Sequence, residues 1–204
     1  QAANMKKFME LSSQGAKGLL KPHRLLIYDG LLTDDKKNKF HFWLFNDIFV
    51  HVPEKKAIKK SNLEKPQYQW PLHLVWVRFD TKKETMEVLG PSAMYKMKPT
   101  NEESAVWRLH FAKALTDHFE FLKTTHDREL QKEKEVEMSM NNAQRFGSFD
   151  FPSGAHYSGW WLNGKMEGHG YWTFNGTYYN GSFVANEKHG VGEMTYFGSE
   201  TFTG

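Results

Sequence analysis

The sequence predicts a mainly β chain with one long helix: an antiparallel β-sandwich or barrel capped by the helix, then tandem β-hairpins. Three observations predict this. Short β-branched and aromatic runs alternate with turn residues as far as about Thr100. A single helical pattern follows. From about residue 150 the chain then repeats itself with a period of 22 residues.

The strand runs are Leu25 to Thr33, Phe40 to Phe45, Ile48 to Val52, Tyr68 to Phe79, Thr85 to Leu89 and Ala93 to Lys98. Asn-Asp, Gly-Pro and Lys-rich turns separate them, so a curled antiparallel sheet is expected. Thr100 with Glu103 has the spacing of a capping box, in which each side chain satisfies the other's free backbone N–H. Trp107, Phe111, Ala114, Leu115, His118 and Leu122 then fall on one face at helical spacing, which should close an open end of the sheet.

In the repeat, Tyr157, Gly159, Trp161, Gly168, Gly170 and Gly176 recur as Tyr179, Gly181, Phe183, Gly190, Gly192 and Gly198. Phe202 and Gly204 begin a further copy with one residue inserted. Each copy reads as a β-hairpin: Tyr157, Gly159 and Trp161 share a face of the first strand, and Gly168, Gly170, Trp172 and Phe174 share a face of the second. Asn163-Gly164 and Asn175-Gly176 are turn signals for left-handed backbone, and Asn186 stands where Gly164 stood. The glycines permit close approach, and the rings supply the apolar area buried between neighbouring copies.

Composition narrows the function. Cysteine is absent, which removes disulfides, Cys-based zinc sites and thiol nucleophiles. No stretch has the roughly 20 consecutive apolar residues a bilayer span needs, and no secretory signal is visible, so the cytosol is the expected compartment. The net charge of +3 is unevenly spread: residues 147–204 hold 2 Lys/Arg against 5 Asp/Glu, and the excess of basic residues lies before them. That excess is too mild for nucleic acid. None of the ten histidines falls in a metal-binding spacing, and no nucleophile-and-base pair is apparent. No catalytic residue, metal or cofactor is expected. Asp29 and Asp47 have no partner that spacing can identify.

The layout from Tyr157 onward resembles the MORN repeat, with two copies plus the start of a third over 147–204. The strands followed by a helix with an early tryptophan resemble the pleckstrin-homology fold, over 18–123, with Trp107 at that family's buried tryptophan. Arg24 to Leu31 and Trp43 to Asp47 resemble the first strands of pleckstrin-homology domains that follow a Dbl-homology exchange domain. Residues 1–17, notably Met5 to Gln14, would then be the tail of that domain's last helix. This domain order, with Phe42 to His51 and Trp70 to Trp76, resembles the alsin-like exchange factors. The resemblance implies a non-catalytic scaffolding region of an exchange factor for small GTPases, present in the cytoplasm and at endosomal membranes. Residues 124–146 read as either a charged linker or an extension of the helix.

Lys36, Lys37 and Lys39 lie in the first turn, where phosphoinositide-binding members of the pleckstrin-homology family hold the headgroup. Lys55 and Lys56, with Lys59 and Lys60, form a second cluster. Each lysine near an anionic leaflet is worth about 1 kcal/mol, so the two loops are candidates for weak, unselective lipid attraction. The second strand offers Phe40, His41, Phe42 and Trp43 where lipid-selective members place a cation. The expected partners are therefore proteins, either small GTPases or neighbouring domains of the parent. Self-association into a homo-oligomer is expected through the aromatic face of the repeats, and phosphoinositide-dependent membrane targeting is the alternative.

Overall fold

The computed structural model describes residues 21–54, 69–124, 143–196 and 201–204. The expected helix tail at 1–17, the lysines from Lys55 to Lys60 and most of the 124–146 segment lie outside the described residues.

Strands β1 (Leu26–Thr33), β2 (Lys39–Phe45), β3 (Ile48–Pro53) and β4 (Gln69–Pro71) form one antiparallel sheet in sequence order. Strands β5 (Trp76–Asp80), β6 (Thr85–Gly90) and β7 (Ala93–Met97) form a second. The single strand expected from Tyr68 to Phe79 is broken by a 3-10 turn at Leu72–Leu74. Pro71 has no N–H to continue the ladder, and the Leu72 amide donates instead to the Asp47 carbonyl at 2.9 Å. At this corner the chain passes from one sheet to the other. The sheets meet again where Asp34 bridges Met97 and the Lys98 amide donates to the Thr33 carbonyl at 2.9 Å.

Helix α1 (Asn101–Thr124) starts with the reciprocal cap its sequence specifies. The Thr100 amide donates to the Glu103 carboxylate at 2.8 Å, and the Glu103 amide to the Thr100 hydroxyl at 3.2 Å. The helix buries Trp107, Phe111, Ala114, Leu115 and His118 against β1, β2, β5 and the 3-10 turn. Trp107 passes closely over Gly30 and meets Tyr28 edge-on at 4.8 Å. Truncating a tryptophan buried this way typically costs about 3–5 kcal/mol. Seven strands in two antiparallel sheets with this helix make a pleckstrin-homology-like sandwich.

The remaining strands form one six-stranded antiparallel sheet in strict sequence order. They are β8 (Arg145–Asp150), β9 (His156–Leu162), β10 (Lys165–Phe174), β11 (Thr177–Val184), β12 (Glu187–Thr195) and β13 (Thr201–Thr203). Three two-residue turns join β9 to β12, and both residues of each are left-handed: Asn163-Gly164, Asn175-Gly176 and Ala185-Asn186. The cross-strand register aligns Gly147, Gly159, Gly170, Gly181 and Gly192 in one row, and Gly192 exchanges two backbone hydrogen bonds with Gly204.

That row lets tyrosines lie flat on the sheet. A Cβ on Gly159 or Gly170 would overlap the Tyr157 phenol, and one on Gly181 or Gly192 the Tyr179 phenol. The hydroxyls donate to the carbonyls of Trp160 and Ser182, at 3.0 and 3.1 Å. Trp161, Tyr157, Phe183 and Tyr179 follow one another edge to face, with centroids 4.9, 5.0 and 5.2 Å apart, the geometry aromatic quadrupoles favour. Gly168 departs from the expected shared face of β10. With φ +73° it sits in a bulge, and its open side faces Trp160 rather than Tyr157. Gly190, φ +62°, holds the corresponding place in β12.

Strand β8 begins at Arg145, before the expected start of the repeats at 147. Its Gly147 and Phe149 stand 23 residues before Gly170 and Trp172, one residue off the period, which conceals the match in sequence. Buried side chains of the sandwich and of this sheet form one contiguous apolar cluster, from Leu32 to Phe183.

Candidate functional site

Two regions compete as the site: the first lysine turn and the junction between sandwich and hairpins. Lys36 and Lys37 in the β1–β2 turn and Lys39 at the start of β2 are all exposed. The Asp34 carboxylate occupies the turn's centre, accepting from the Lys36 amide at 2.9 Å, the Asn38 amide at 2.7 Å and the Asn38 side chain at 2.9 Å. The Asn38 side chain, followed by these amides, holds the Asp34 carboxyl below the usual carboxylate range. Backbone donors that could cradle a phosphate are thus already used, around a negative charge. On β2, His41 meets the Asp29 carboxylate at 2.8 Å and stacks on Trp43 at 4.0 Å. Asp29, unassigned by spacing, therefore has His41 of β2 as its partner beside the turn.

The junction is denser. The Trp76 indole N–H donates to the Ala143 carbonyl at 3.0 Å, and Arg145, the first residue of β8, reaches back to the Val75 carbonyl at 2.6 Å and the His73 carbonyl at 3.3 Å. Its guanidinium lies 4.5 Å from the Trp76 ring centroid and 5.2 Å from that of Phe119. Burial pushes the Arg145 guanidinium down to about 10, still charged at neutral pH. Gly147 is required beside it, because a Cβ there would stand 2.7 Å from the His73 imidazole. The Trp161 indole N–H, from the next strand, donates to the Gly147 carbonyl at 2.9 Å.

Behind Arg145, the rings of His73 and His118 stack 9° from parallel, with Nε2 of His118 and Nδ1 of His73 3.4 Å apart. Burial, then the charges of His118 and Arg145, pushes His73 down to about 3. His118 is lowered chiefly by burial, with the Asn46 backbone and Asp47 opposing. Asp47 is held by Arg24, whose Nε and Nη2 reach the carboxylate at 2.8 and 2.6 Å. A line of polar groups therefore runs from Arg24 through Asp47, His118 and His73 to Arg145, joining the start of the sandwich to the start of the hairpins.

A second contact fixes the orientation. In the second copy, the Ala185-Asn186 turn is tied to the first: the Met166 amide donates to the Asn186 side chain at 2.7 Å, the Asn186 amide to the Met166 carbonyl at 3.0 Å, and the Ala185 amide to Glu167 at 3.0 Å. In the first copy the equivalent turn lies against the sandwich, where a Cβ on Gly164 would stand 2.6 Å from the Gly90 carbonyl. The β6–β7 turn thus receives a hairpin turn as one repeat receives the next.

Of the residues singled out from sequence, Tyr157, Gly159, Trp161, Gly170, Tyr179, Gly181, Phe183 and Gly192 come together on or against the glycine row, and Trp107 lies in the sandwich core. The exposed lysines converge on no described pocket partner. Sequence reasoning missed the junction entirely: Arg145, His73 and Gly147 carry no spacing signal, because they meet only through folding. Among the described residues, no group of three or more His, Cys, Asp or Glu side chains could hold a metal ion. No described helix is long and apolar enough to cross a membrane.

No family profile matches this chain, and no curated protein matches it. Among solved structures, it is similar to the DH/PH domains of PDZ-RhoGEF in complex with GTP-gamma-S activated RhoA, at 18% identity and a TM-score of 0.36, over 50% of this chain and 33% of that one. It is also similar to the linker-DH/PH domains of p115-RhoGEF, at 15% identity and a TM-score of 0.40, over 54% of this chain and 39% of that one. The chain therefore spans well under half of either structure, and its fold assignment rests on its own strand order, helix and core.

Proposed function

We propose that this chain is a non-catalytic scaffolding region of an alsin-like guanine-nucleotide exchange factor for small GTPases, acting in the cytoplasm and at endosomal membranes. Its pleckstrin-homology-like sandwich and MORN-type hairpins work as one stiff unit that sets the distance and angle between neighbouring exchange domains. The carrying observation is the buried junction, where Arg145 bridges two backbone carbonyls and two rings of the sandwich. A flexible tether would need none of this. Self-association is supported by the far end of the sheet, where Val191, Tyr196 and Phe202 are 80, 47 and 55% exposed.

The test is exchange activity of the parent protein with the junction intact and with Arg145→Ala. Loss of activity or of self-association in sedimentation, with both halves still folded, is the expected result. An Arg145→Ala protein that loosens the junction in small-angle scattering yet retains full activity and oligomeric state would refute the scaffold. Phosphoinositide-dependent targeting is the weaker reading, because Asp34 sits where a headgroup phosphate would have to bind.

A further inference from the structure

The repeats contain a second kind of site that the scaffold reading does not use. In the first copy, Met166 fills a buried position opposite Trp161. The same position 22 residues later, opposite Phe183, is Lys188. Its ammonium turns onto the sheet, 4.1 Å from the Trp172 ring centroid, 5.2 Å from that of Tyr179 and 3.6 Å from the Met194 sulfur. Among the described residues it pairs with no carboxylate, and burial lowers its affinity for a proton. Two ring faces and a thioether around one ammonium make an aromatic cage, the arrangement that binds alkylammonium groups through the ring quadrupole.

We propose that Trp172, Tyr179 and Met194 form a recognition site for a lysine side chain of a partner protein, methylated or not, which Lys188 occupies in the unbound state. Lys188 is an exposed residue with a long, flexible side chain, so its ammonium can leave the rings without disturbing the strand. Residues 147–204 carry 2 Lys/Arg against 5 Asp/Glu, a field that draws a net cation and repels the phosphate of a choline headgroup. A protein ligand is favoured over a lipid on that ground. Being tethered, Lys188 competes at a high effective concentration, which makes the native site weak and the site without Lys188 strong.

Tetramethylammonium tests the cage directly, followed by fluorine NMR of the chain carrying 5-fluorotryptophan, with Trp172→Phe identifying the Trp172 resonance. Lys188→Ala should shift that resonance saturably at about tenfold lower ligand concentration than the native chain. Lys188→Met, which restores the residue of the first copy, should refill the cage and abolish the saturable shift. Equal response in native and Lys188→Ala chains, or undiminished response in Lys188→Met, overturns the site. Should Lys188→Ala fold poorly, Lys188→Gln serves for the same comparison. A trimethyllysine peptide should then saturate the Trp172 signal of the opened variant. Vesicles of phosphatidylcholine doing so where the peptide does not would overturn the protein ligand.

Discussion

Arg145 donates to the Val75 carbonyl at 2.6 Å while its guanidinium covers the Trp76 ring at 4.5 Å. One side chain thus satisfies a buried acceptor and a π face together. Arg145→Ala should destabilise the chain by about 3 kcal/mol, the sum expected for losing a charged hydrogen bond and a desolvated cation–π contact. Arg145→Lys should recover little, since an ammonium cannot span both carbonyls and lie flat on the ring. Urea unfolding of the three proteins checks both statements, and a fully stable Arg145→Ala chain would contradict them.

Gly170→Ala should be among the most disruptive single-methyl changes in the sheet, because the new Cβ would overlap the Tyr157 phenol and that ring is wedged against Trp161 and Phe183. A cost of about 2–3 kcal/mol is expected, in the range for overpacking a tight core. Near-ultraviolet circular dichroism should report the displaced rings. A Gly170→Ala protein as stable as the native one would show that Tyr157 can move aside.

Stability should fall in mild acid. His51 and His73 are both held down to about 3 by burial, whereas histidine in an unfolded chain titrates near 6.5. Below about pH 6.5 the unfolded chain binds more protons than the folded one. Stability is therefore complete above that value and is lost progressively toward pH 3, by about 1.4 kcal/mol per pH unit for each histidine. Denaturant midpoints at pH 7.5 and pH 5 should differ accordingly, and His73→Gln should flatten the dependence. A midpoint that does not change with pH would mean these rings are hydrated in solution.

Replacing Lys36, Lys37 and Lys39 together by Glu should leave the fold intact, since all three are exposed. Flotation with vesicles should change only slightly. Complete loss of a phosphoinositide-selective interaction in that variant would favour membrane targeting instead.

The architecture was legible where local chemistry fixes it. Thr100 and Glu103 announce a helix start, and Trp107 to His118 mark its buried face. Asn163-Gly164 and Asn175-Gly176 need left-handed backbone that few other pairs adopt readily. The corner at Pro71 was hidden because the surrounding residues are as β-branched and aromatic as any strand; only the Asp47 carbonyl, 25 positions earlier in the chain, captures the Leu72 amide. The pairing of Arg24 with Asp47 and the meeting of His73 with Gly147 were hidden for the same reason. Gly168 misled because alternation assumes an unbroken ladder, and a bulge reverses the face.

The junction joins residues far apart in the chain: Trp76 to Ala143 across 67 positions, and Arg145 to Val75 across 70. The hairpins from β9 to β12, by contrast, each close through two residues. Closing long loops costs more entropy and takes longer than closing short ones, so the junction is the slow step and each hairpin strand adds quickly once it is in place. During synthesis the sandwich emerges first and stands ready as a template. The first hairpin is then laid against Gly90 and Arg145's carbonyl partners, and the next against Met166. Assembly therefore has a direction, from the sandwich outward, and an error at Arg145 is inherited by every strand added after it.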